Sequence, residues 1–246
     1  MSRLAKLTMA MISLGVIITV TWLILSNISP SFNSLALVFN AKVGDQALVF
    51  DKFNYTNPEG SEKFKIRDFR FFISNITLHS GDDKYIETNS YHLARFDNEQ
   101  TSYSIILQDV ELNEIDKITF SIGVDSDANS SLEPLGDLDP NSKMAWNWEV
   151  GYKFVLLEGG IQINKQVRPL VYHIGFDENR RDLEFSFPTG YALSDGMKIQ
   201  YTVDAMKLFA STSSVNIADI QSVKFDKTDA RLFADNYQKM ISANWK

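Results

Sequence analysis

The chain has 246 residues, 44% of them hydrophobic and 12% aromatic, which is enough apolar surface for a sizeable core and too much for a disordered chain. Its 24 basic and 31 acidic residues give a formal charge of −7, without the basic stripe that neutralises nucleic-acid phosphates. Cysteine is absent, which excludes disulfides, thiolate metal sites, cysteine nucleophiles and a lipidated N-terminal cysteine.

Residues 1–29 read as an export leader. Arg3 and Lys6 precede an apolar run from Leu7 to Leu25, close to the ~20 residues that span a bilayer. No small-x-small cleavage site follows, so a cleaved signal peptide and an uncleaved N-terminal membrane anchor both fit. The positive residues stay inside in either case, which places the single domain at 30–246 across the membrane.

From Leu35 the chain becomes short runs of Phe, Ile, Val and Tyr broken by turn clusters such as Asn57-Pro58-Glu59-Gly60 and Ser80-Gly81-Asp82-Asp83. The predicted strands are 35–39, 47–50, 65–78, 85–96, 102–107, 117–124, 148–163, 170–174, 182–187 and 198–208. Several alternate cleanly, with Leu183, Phe185 and Phe187 on one face and Glu184 and Ser186 on the other. That pattern suits antiparallel pairing with one wet face. A helical period appears only near the C-terminus, at Ala230, Phe233, Ala234, Tyr237 and Ile241, with Thr228 offering an N-cap oxygen. The fold class is therefore all-β, an antiparallel β-sandwich closed by a C-terminal amphipathic helix.

Three constellations stand out. Asp125, Asp127 and Asn129 place oxygen donors at alternate positions, as in loops that wrap a hard cation such as calcium. The surrounding pattern departs from an EF-hand, and an acidic turn that merely ends a strand is the other account. The segment Met144-Ala145-Trp146-Asn147-Trp148-Glu149 is either a bulky core plug or a site where a tryptophan is modified beside a soft thioether. Among the three histidines, His79 precedes a turn, His92 sits between Tyr91 and Leu93, and His173 lies in an apolar strand just before Gly175. A partly buried neutral imidazole such as His173 suits a metal; a hydrogen-bonded structural histidine is the alternative. No Gly-x-Ser-x-Gly elbow, His-Glu-x-x-His or P-loop is present. A hydrolase would need two of Asp125, Asp127, Asp137, Asp139 and Glu149 to converge.

Taken in order, Phe39-Asn40-Ala41-Lys42-Val43-Gly44, Phe71-Phe72-Ile73-Ser74-Asn75-Ile76, Ser121-Ile122-Gly123-Val124-Asp125, Met144 through Phe154, Tyr172-His173-Ile174-Gly175 and Asp229 through Tyr237 resemble the MbnP-like family. The resemblance runs from about Leu35 to Ala243, and the Trp-x-Trp-x-x-Gly-Tyr-x-Phe segment is its most specific part. These are exported bacterial copper-binding proteins related to the methanobactin-associated periplasmic protein. It implies a periplasmic β-sandwich that binds copper through histidines and is not an enzyme. It also implies a tryptophan, Trp146 or Trp148 here, oxidised to kynurenine by a partner di-haem enzyme of the cytochrome c peroxidase type. His173 matches the family's His-x-Gly strand. At the position where the opening strand commonly carries histidine, this chain has Ala41. A lone imidazole needs another donor, for which Met144, His92 or a free amino terminus are the candidates. The competing expectation is an exported adhesion or scaffold sandwich that has lost its copper site.

Overall fold

A period of two in side-chain burial commits most of the chain to strands. In β1 (Asn33–Val43) the side chains of Leu35, Leu37 and Phe39 are buried while Ala36, Val38 and Asn40 are half-exposed. The computed structural model describes residues 33–131, 135–147 and 151–245. The leader, Glu133, Trp148 and Glu149 lie outside them. Among the described residues no helix is long and apolar enough to cross a membrane.

After β1 come β2 (Gln46–Ala47), β3 (Tyr55–Thr56), β4 (Lys63–Ser80), β5 (Asp83–Ile86), β6 (Tyr91–Phe96), β7 (Ser102–Val110) and β8 (Glu114–Ile122). The second half of the chain adds β9 (Ala145–Asn147), β10 (Gly151–Ile163), β11 (Gln166–Gly175) and β12 (Arg181–Ala192). β13 (Met197–Asp204), β14 (Ser222–Val223), the helix Lys227–Tyr237 and β15 (Ile241–Ala243) complete it. One sheet runs β15-β13-β1-β2 with β7 also on β1; the other runs β12-β8-β4-β10-β11-β14, with β3, β5 and β6 on β4 and β9 on β10. The main core lies between them, where Phe39 stacks on Tyr201 at 5.0 Å and meets Phe120 edge-on at 5.7 Å.

The larger sheet is apolar on both faces around β4. Phe69, Phe71 and Ile73 enter the main core, while Phe72 joins a second cluster with Val124, Leu138, Met144, Phe154 and Leu156. Two covered faces explain the unbroken apolar run at Phe71-Phe72-Ile73, since alternation appears only where one face is wet.

The sandwich and its C-terminal helix are as expected, with differences of detail. Two strand pairs are parallel, β1 with β13 and β11 with β14, so the sheets are mixed. The expected strand 85–96 is two strands, because Asn89 takes a left-handed φ of 52° and turns the chain. The expected 47–50 strand shrinks to β2 and one bridge from Phe50 to Ile66. β13 stops at Asp204, whose carboxylate accepts the amides of Gly44 and Met206 and starts a tight helical turn. The helix cap is Asp226, which accepts the Thr228 and Asp229 amides, and not Thr228. A carboxylate placed one residue before the first turn reaches both free amides, which a threonine inside that turn does not.

Candidate functional site

β11 sends Tyr172 and Ile174 into the main core, so His173 emerges on the opposite face of the sheet. It lies directly across from Leu156 of β10, which in turn faces Arg70 of β4. The His173 Nε2 sits 3.0 Å from Glu158 Oε1, and Arg67 donates to Glu158 Oε2 at 3.0 Å. Burial pushes the His173 pKa below its ordinary value, and the hydrogen bond to Glu158 only partly offsets this while Lys153 adds to it. Burial alone would raise the Glu158 pKa, but the hydrogen bonds from His173 and Arg67 together hold it below the usual carboxylate range. The result is a neutral imidazole against a charged carboxylate.

Over this face runs a strap, residues 142–147, pinned by two buried cations. Arg70 grips Asp68 through two bonds of 2.7 and 2.6 Å and donates to the Ser142 carbonyl at 2.8 Å. Lys153 donates from Nζ to the Lys143 carbonyl at 2.6 Å, and burial lowers its pKa. Between those anchors Lys143 adopts a left-handed φ of 64°. The strap drives Met144 fully into the second cluster, where it is buried with Phe72 and Leu156 among others. Trp146 instead lies half-buried on Gly175, where an added Cβ would come within 2.8 Å of the indole ring. Its ring also meets Phe176 at 5.5 Å and the exposed Phe225 at 5.2 Å. Gly175 follows His173 by two residues on one strand face, so the indole packs on a backbone position about 7 Å along β11 from that of His173.

The other sequence candidates do not join this group. His92 stands opposite Ile73, on the main-core side of the sheet, and its Nε2 is 2.8 Å from Glu87 Oε2, which also accepts from Ser90 at 2.5 Å. Three strand spacings separate it from His173, about 14 Å, so the two imidazoles cannot share an ion. Ala41 pairs with Val203 and packs against the main core, so a histidine there would face the interior and not the His173 face. His79 bonds to Thr119 at 3.1 Å.

The acidic loop is spent on structure. Asp125 caps the helical turn Ser126–Asn129 through the Ala128 amide and accepts the Tyr91 hydroxyl at 2.7 Å. Asn129 accepts the Tyr152 amide at 2.8 Å and donates to Asp177 at 2.7 Å, while Asp127 points to solvent. Asp125 and Asn129 thus already hold hydrogen-bond partners within the fold. Among the described residues no group of three His, Cys, Asp or Glu side chains is arranged to hold a metal ion. Asp137 accepts from Leu93 and Tyr103, and Asp139 accepts the Asn141 amide.

Sequence reasoning missed Glu158, Arg67, Arg70 and Lys153. The available signal was a charge inside an apolar strand, as at Glu158 after Phe154-Val155-Leu156-Leu157.

Fold and face together define a class: a two-sheet β-sandwich whose outer strand pair carries an imidazole–carboxylate unit beside a strapped tryptophan. Residues 32–226 match the family model MbnP, and the chain belongs to the MbnP family. Among solved structures it is similar to MbnP from Methylosinus trichosporium, with a TM-score of 0.53 over 75% of this chain and 80% of that one. Sequence identity there is 13%, so that likeness is one of fold. No curated protein matches the chain.

Proposed function

We propose that this protein is an exported, periplasmic copper-binding member of the MbnP family, one that binds and does not catalyse. The observation that carries the reading is that Trp146 packs on Gly175, two residues beyond His173 on the same face of β11. His173 supplies a neutral imidazole, a donor suited to copper. An unmodified indole offers no lone pair of use to a metal, whereas kynurenine has an aromatic amine and a ketone oxygen. Oxidation of Trp146 by a di-haem partner of the cytochrome c peroxidase type would therefore supply the donors that a lone histidine lacks. Trp146 is open enough to be reached, since it is half-buried and its neighbour Phe225 is 60% exposed. Met144, enclosed in the second cluster, serves packing, and His92 belongs to a separate hydrogen-bonded group.

The test is metal analysis and peptide mass spectrometry on protein from its own host's envelope, repeated on His173→Ala. Copper at one equivalent with oxidised Trp146, and its loss in the variant, is the expected result. Unchanged stoichiometry in His173→Ala overturns the assignment of His173.

A second reading is favoured by Ala41, which stands where the family's opening strand commonly carries histidine. It makes the protein an exported scaffold or adhesion sandwich without copper, and native protein lacking both copper and tryptophan oxidation would favour it over the copper reading.

A further inference from the structure

We propose that Glu158 is a positioning residue that fixes His173 as the tautomer protonated at Nε2, leaving Nδ1 as the atom that binds metal. Its first half, the tautomer, stands on hydrogen-bond chemistry alone; its second half rests on the copper reading above.

The contact is one of an imidazole nitrogen with a carboxylate oxygen at 3.0 Å, a full hydrogen bond. An ionised carboxylate can only accept. Glu158 is kept ionised by its ion pair with Arg67, which occupies the other oxygen. The hydrogen between Glu158 and His173 therefore belongs to Nε2. Among the described residues this is the one hydrogen bond made by the ring. A neutral imidazole carries one ring proton, and with that hydrogen on Nε2 it is accounted for. The remaining nitrogen thus carries a lone pair. A carboxylate behind a histidine in this way orients the ring and raises its basicity toward a metal, an effect worth about 10–100-fold in metal affinity.

The first measurement is long-range proton–nitrogen correlation NMR of the uniformly nitrogen-15-labelled, metal-free protein at pH 7. Protonation of His173 at Nε2 in the wild type, becoming a mixture of tautomers in Glu158→Gln, is expected, because an amide can donate as well as accept. Protonation at Nδ1, or a tautomer unaltered by Glu158→Gln, overturns the inference. The wild-type spectrum decides the tautomer even where the variant fails to fold. Copper titration then reads the second half: Glu158→Gln should bind copper about 10–100-fold more weakly at unchanged stoichiometry. Equal affinity overturns the positioning role. If wild type binds no copper while His173 is protonated at Nε2, the copper reading falls and the tautomer assignment stands. If copper binds to a ring protonated at Nδ1, this inference falls and the copper reading stands.

Discussion

Burial, which removes water from the ring, lowers the His173 pKa in the fold and Lys153 adds to the shift, while Glu158 offsets them only in part. In the unfolded chain a histidine takes up its proton near pH 6.5. Between that value and the lower folded value, the unfolded state binds a proton that the folded state refuses. Stability is then fully present above about pH 6.5 and falls as the pH drops below it. His79 is shifted in the same direction, with burial the main cause and Lys117 adding to it. Urea midpoints should accordingly fall from pH 7.5 to pH 5.5, and His173→Gln should flatten part of that slope; an unchanged slope would mean that His173 titrates normally. Gly175 makes the second prediction at this scale. A Cβ there would meet the Tyr152 carbonyl at 2.5 Å and the Trp146 ring at 2.8 Å. Gly175→Ala should cost roughly 1–3 kcal/mol and shift the tryptophan fluorescence. Gly151, in the tryptophan-containing segment, has such a cause too. Gly151 has a left-handed φ of 79° and leaves no room for a Cβ against Asn129. Neither contact was legible in the sequence, since the partners Trp146 and Asn129 lie more than twenty residues away along the chain.

Elements were legible where one face is wet and obscure where a turn lacks its usual residues. The β10–β11 hairpin turns at Asn164 and Lys165, with φ of 49° and 64°, the left-handed pair of a type I′ turn. Asn-Gly would have announced it; Asn-Lys did not, and β11 was expected to begin at Leu170 instead of Gln166. With that turn recognised, the register places Glu158 opposite Val171, diagonal to His173, and the imidazole–carboxylate unit follows. The helix Lys227–Tyr237 was found by its period, but its cap was not, because Asp226 and Thr228 both offer oxygens. Asp226→Ala should cost about 1 kcal/mol in urea unfolding, and Thr228→Ala much less. Equal costs would show that Asp226 is not the cap. The strap behaves as an element too. Lys153→Met keeps the packing stem but releases the Lys143 carbonyl, so strap amides should exchange faster while those of β1 and β13 do not change.

The molecule separates two apolar layers by one sheet. The large layer joins the sheets and determines whether the chain folds; the small one, on the outer face, holds the strap against the site. Phe39 belongs to the first, fully buried and packed on Tyr201 and Phe120 from both sheets. Truncation to Ala there leaves a cavity that backbone pairing prevents from collapsing, at about 3–5 kcal/mol. Met144 belongs to the second, equally buried but among fewer partners beneath a strap tied down by Arg70 and Lys153. A strap can settle into a vacated space as a sheet cannot, so Met144→Ala should cost less than Phe39→Ala on global unfolding. Its larger effect should fall on Trp146, two residues further along, through a changed fluorescence and faster exchange of the strap amides. Phe39→Ala should lower the urea midpoint of every probe together. If Met144→Ala also shifts all probes equally, the outer cluster is part of one cooperative core, and the site cannot be adjusted without unfolding the sandwich.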